Sequence, residues 1–131
     1  MRFVLEHSLD ASQSILTLRP KGALTQADFA ELSQTVDPFI EAHGMLAGIL
    51  VEAASFPGWD SFGALVAHLR FVRDHHRRVR RIAIVTDAVI GDVAEKLASH
   101  FVSAEIKHFP AGQGEAARRW LTSPGSPPSP A

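Results

Sequence analysis

Apolar and polar positions along the chain fall into short strand-like runs separated by longer helical ones. Leu46-Ala-Gly-Ile-Leu-Val-Glu52 is nearly continuous in apolar residues and lacks a helical period, which predicts a strand covered on both faces. Arg81-Ile-Ala-Ile-Val-Thr86 predicts a second buried strand. Upstream, Phe3-Val-Leu-Glu-His7 and Ser14-Ile-Leu-Thr-Leu-Arg19 are short and β-rich. The five polar-leaning residues from Leu9 to Gln13 are too few for a parallel crossover, so these two runs predict an antiparallel hairpin. Ala104-Glu-Ile-Lys-His-Phe109 alternates and ends at Pro110, as an edge or terminal strand would.

Helical spacing fills the gaps. Phe29, Leu32, Val36, Phe39 and Ile40 define a first helix, opened by Thr25 and Asp28 in capping-box positions and closed by Gly44. Pro38 lies inside it and either kinks the helix or starts a new one capped by Asp37. Phe62, Leu65, Val66, Leu69 and Val72 define a second helix running towards His76, and Val89, Val93, Leu97 and Phe101 a third. A short last helix runs from Gly114 to Leu121, anchored by Trp120 and Leu121. Strands separated by helices of this length lie parallel with right-handed crossovers, so the fold class is α/β: a mixed five-stranded sheet opening with an antiparallel hairpin, then alternating helix and strand. One domain is expected over residues 1–121. A Pro/Ser-rich tail over residues 122–131 has nothing to bury and is expected to be disordered.

Composition narrows the function. A formal net charge of -1 predicts no global attraction to nucleic acid or to an anionic membrane, so any such attraction is local. The absence of cysteine excludes disulfides, thiol catalysis and thiolate metal sites. The first seven residues are charged and lack the apolar core of a secretion signal, and no run approaches the roughly 18–20 apolar residues of a membrane span, so the expected location is cytoplasmic.

Candidate chemistry clusters in three places. Beyond the central strand, Pro57-Gly58 makes a turn flanked by Phe56 and Trp59, and Asp60-Ser61-Phe62 opens the next helix. In open α/β sheets ligands bind outside the carboxyl ends of the strands, so Phe56, Trp59, Asp60, Ser61, Phe62 and Asp87 are the candidate ligand-binding residues. The aromatic set reads either as a lid on the core or as an apolar groove mouth. Second, Arg70, Arg73, Arg77, Arg78, Arg80 and Arg81 place six arginines within twelve residues. They form either a solvated helix end or a face for anionic headgroups, with Arg70, Arg73 and Arg77 as the candidate contacts. Nucleic acid is not the expected partner, because no recognised motif accompanies the cluster. Third, there are seven histidines without metal-ligand spacing, and adjacent His75 and His76 diverge by about 100° on a helix. They read as surface or capping residues, with no metal and no cofactor expected. Ser61 reads as a helix cap rather than a nucleophile, and Gly112 with Gly114 completes no dinucleotide motif. No catalytic residue emerges, so a non-enzymatic domain is expected.

The order of elements, together with Trp59, Arg81-Ile-Ala-Ile-Val85 and Ala116-Ala-Arg-Arg-Trp-Leu121, resembles the SpoIIAA-like family over roughly Phe3 to Leu121. That family is bacterial, with a fold related to STAS domains and similar to CRAL-TRIO lipid-binding domains. The resemblance implies a non-enzymatic STAS-like module that takes a lipid-like or amphiphilic ligand, or contacts the inner face of the membrane peripherally. The alternative it implies is a regulatory module with a protein partner, and a homo-oligomer is a further expectation because small STAS-like domains expose sheet edges and helix faces. STAS-type antagonists are switched by phosphorylation in an Asp-Ser-Ser-Gly motif. Here that place reads Asp60-Ser61-Phe62-Gly63, so the second serine is replaced by Phe62.

Overall fold

The computed structural model describes residues 4–53, 61–86 and 104–123, with the side chain of Phe62 excepted. The predicted third helix, the Phe56–Trp59 turn, Asp60, Asp87 and residues 124–131 lie outside the described residues.

Five strands form one mixed sheet: β1 (Leu5–Asp10), β2 (Ile15–Pro20), β3 (Leu46–Glu52), β4 (Val79–Val85) and β5 (Glu105–Phe109). They lie in chain order, β1 antiparallel to β2 and each later neighbour parallel. Three helices are described: α1 (Gln26–His43), α2 (Phe62–His75) and α3 (Gly114–Thr122), with a 3₁₀ turn (His76–Arg78) between α2 and β4. This is the fold class expected from the sequence.

Local chemistry sets the boundaries. β1 begins and ends later than its hydrophobic run predicts, because Asp10 pairs with Ile15 and also builds the turn. Its Oδ1 accepts from Ser12 N, Ser12 Oγ and Gln13 N at 3.0, 2.7 and 3.2 Å. These hydrogen bonds, that of the Ser12 hydroxyl foremost, hold the Asp10 carboxyl below its usual pKa. Ser14 closes the turn in a left-handed conformation, φ 61°.

α1 carries the expected capping box. Thr25 Oγ1 accepts from Asp28 N at 3.1 Å and the Asp28 carboxylate accepts from Thr25 N at 2.9 Å. Asp28 is also buried, and its other oxygen accepts from Val4 N and Leu5 N, so one side chain starts the helix and fastens the first strand. The helix runs through Pro38 without a new start, so Asp37 is not a cap. Pro38 and Gln34, whose carbonyl loses its helical donor, both lie on the exposed side of the helix. Gly44 ends α1 at φ 89°, where a Cβ would be strained.

The sheet is buried on both sides over β3 and β4. Phe29, Leu32, Val36 and Phe39 of α1 pack with Leu16, Leu46, Ile49 and Val79, and Phe71 of α2 packs against the same cluster. On the other side, Ala117 and Leu121 of α3 cover Ile15, Leu50, Ala83 and Val85. α3 comes so close that a Cβ on Gly48 would meet Leu121 Cδ2 at 2.6 Å. The last helix also extends past the expected domain limit: Thr122 belongs to it, and Ser123 is tied to β4 as described below.

Candidate functional site

β3, β4 and β5 run parallel and deliver their carboxyl ends to one edge of the sheet, the position where open α/β folds hold ligands. Among the described residues this edge is knitted by backbone bonds from Ala53 N to Val85 O and from Thr86 N to Phe109 O. His108 Nε2 lies 2.6 Å from Thr86 O. Ser61 begins α2 above this edge. It is exposed, and its Oγ accepts from Ala64 N at 3.1 Å, the helix-cap geometry expected from its position. A Cβ on Gly63 would overlap Gln26 Nε2, so the amino ends of α1 and α2 meet here. Of the other candidate ligand residues, Phe56, Trp59, Asp60 and Asp87 lie outside the described residues, as does the Phe62 side chain.

The arginine-rich stretch divides. Arg81 is buried at 3% exposure, although its sequence position made it one of a surface cluster. Its Nε donates to Glu105 Oε1 at 3.1 Å and its Nη1 to Trp120 O and Ser123 Oγ at 2.6 and 2.7 Å, with the guanidinium over the Trp120 ring. Arg81 thus satisfies the free carbonyl end of α3. Arg80 donates to Ser123 O, and Arg78 to Gly44 O at the end of α1. These three arginines fasten helix ends.

Arg70, Arg73 and Arg77 remain exposed. At about 100° per residue, Val66, Leu69, Arg70 and Arg73 share the outer side of α2, opposite Ala64 and Phe71, and Arg77 follows one turn on. Leu69, at 60% exposure, is the most exposed large apolar side chain among the described residues, and Val66 is half-buried. An apolar tip thus stands among three cations. Arg73 Nε donates to Asp74 at 3.0 Å, and this bond holds the Asp74 carboxyl below its usual pKa.

The sequence did not anticipate a histidine-lined seam between α1 and α2. His75, expected at the surface or as a cap, is buried; its Nδ1 lies 2.7 Å from Phe71 O and its Nε2 2.6 Å from Asp37 Oδ1. His68 stacks on Phe29 with centroids 4.8 Å apart, and burial holds its pKa below the usual 6.5. The Asp37–His75 pair lines an open cleft of about 600 Å³ with Glu41, Asp74 and Arg78, at the amino ends of β3 and β4. The two partners are 38 residues apart, and no local pattern links them. Among the described residues no group of three His, Asp or Glu side chains is placed to hold a metal ion. Nor is any helix among them long and apolar enough to cross a membrane.

A mixed sheet with a leading antiparallel strand, its first two crossover helices on one face and a closing helix on the other, makes an α/β domain whose architecture fits the STAS type. The chain belongs to the SpoIIAA-like family, whose sequence profile matches residues 15–122. Among solved structures it is similar to an uncharacterised DUF3478-family protein with a SpoIIAA-like fold from Shewanella loihica PV-4. The two share 21% identity at a TM-score of 0.73, over 92% of this chain and 96% of that one. At that identity the likeness concerns the fold. No curated protein matches the chain.

Proposed function

We propose that this domain is a non-enzymatic binding module whose outer α2 face meets an amphiphile with an anionic head, most simply the inner surface of a membrane. The reading is carried by one observation: Leu69 stands 60% exposed on the same side of α2 as exposed Arg70 and Arg73, with Arg77 beyond them. Amphipathic helices bind lipid interfaces by burying apolar tips while cations attract anionic headgroups, each basic residue contributing about 1 kcal/mol near such a surface. With Arg73 paired to Asp74, Arg70 and Arg77 then supply about 2 kcal/mol, roughly thirtyfold in partitioning. Leu69 sets the depth. A neutral surface would gain only the apolar part.

Vesicle flotation tests this reading. The protein should float with vesicles containing phosphatidylglycerol at low salt and stay behind with pure phosphatidylcholine. Changing Arg70, Arg73 and Arg77 together to Gln should abolish flotation with the fold intact. Wild-type protein that remains in solution with the anionic vesicles would end this reading.

A second reading, a regulatory contact with a protein partner, is favoured by Ser61. Ser61 is exposed at the amino end of α2, where a phosphate would meet the positive end of the helix dipole. Cross-linking in cells with wild type and Ser61→Glu separates the two, since only this reading expects a partner whose capture changes with that substitution.

A further inference from the structure

We propose that the face formed by α1 and α2 pairs with the same face of a second copy of this chain, α1 of each copy lying against α2 of the other. The proposal goes beyond the membrane reading and does not rest on it.

The two helices carry opposite charge. α1 holds Glu31, Asp37 and Glu41 on its solvent-accessible sides, and it contains no lysine or arginine. Asp37 is exposed even though it bonds His75. α2 and the 3₁₀ turn hold Arg70, Arg73, Arg77 and Arg78 against a single acid, Asp74, which Arg73 bonds. Arg78 is committed to Gly44 O. Among the described residues Glu31, Glu41, Arg70 and Arg77 enter no ion pair. In a chain of net charge -1 the two signs are thus laid out side by side, one to each helix.

The helices also stand in register. Gln26 lies on Gly63, Phe29 on His68 and Asp37 on His75, so α1 and α2 run side by side in the same direction. At the offset of 38 residues between the last two, Glu31 stands level with Leu69 and Arg70, and Arg77 stands between Asp37 and Glu41. A two-fold axis running between the helices and parallel to them therefore brings α1 over the second copy's α2 at equal height, acid on base, and does so twice. An axis across the helices would instead lay α1 on α1 and α2 on α2, like charge on like. Charge selects one of the two ways in which this face can meet itself.

Shape agrees. At about 100° per residue Ala27, Ala30, Gln34, Pro38 and Glu41 share the outer side of α1, with no bulky apolar group and no cation among them. In the pair, Leu69, 60% exposed in the single chain, meets the low surface around Ala27 and Ala30 of the second copy. An anionic lipid surface and a second copy compete for Arg70 and Arg77. The test is therefore made without lipid, and its outcome is separate from that of flotation.

Sedimentation velocity of the full chain at about 100 μM, in about 20 mM and about 0.5 M salt, tests the pairing. A dimer is expected at the lower salt, and its dissociation constant should rise about tenfold or more at the higher. Glu31→Lys with Glu41→Lys makes both helices basic, and Arg70→Glu with Arg77→Glu makes both acidic. Each double variant alone should be monomeric. Mixed in equal amounts they should form a dimer, because both symmetry-related contacts again join opposite charges. Should either double variant fail to fold, Glu41→Lys and Arg77→Glu alone are held to the same outcome. A wild-type chain that stays monomeric at both salt concentrations, or that assembles beyond a dimer, would overturn the proposal. So would a variant that pairs with itself as the wild type does, or a mixture that stays monomeric.

Discussion

α1 and α2 cover the same face of the same sheet, yet they are built differently. α1 begins with a reciprocal capping box on a buried carboxylate and sends Phe29, Leu32, Val36 and Phe39 into the core. α2 begins with a single exposed serine, keeps most of its apolar side chains partly rather than fully buried and presents Leu69 to solvent beside arginines. The first helix is specified by what it buries. The second has two occupied sides, a histidine seam inward and a basic, apolar-tipped surface outward.

Substitutions sharpen the contrast. Leu32→Ala empties a site that is 1% exposed and should cost about 2–5 kcal/mol, read from the shift of the urea midpoint. Asp28→Ala removes the acceptor of Thr25 N, Val4 N and Leu5 N, leaving buried donors unpaired, and should cost about 1–3 kcal/mol in the same measurement. Leu69→Ser on α2 should alter stability by no more than about 0.5 kcal/mol while weakening flotation with anionic vesicles. If Leu69→Ser destabilised the fold as much as Leu32→Ala, the two helices would not differ in the way argued here.

What was legible in the sequence was local. β3 is bounded at Leu46 and Glu52 as its apolar run predicts, and Thr25, Asp28 and Gly44 mark α1 by side-chain chemistry that acts over three or four residues. Ser61 was readable as a cap for the same reason. The hairpin slipped because Asp10 is both a strand partner and a turn builder, and a polar residue at a strand end looks like loop. Arg81 was misplaced because burying a guanidinium depends on Glu105 and on the carbonyl end of α3, 24 and 39 residues away. His75 depends likewise on Asp37. Tertiary pairing of polar groups leaves no periodic trace in one chain.

The Arg81 fastening has a practical side. Arg81 lies near the amino end of β4, so Ser123 is pinned at the opposite edge of the sheet from Ser61. A fluorophore carried at Ser123 itself therefore sits on the far side of the sheet from the start of α2. A reporter attached there can follow binding at Ser61 without standing in its way.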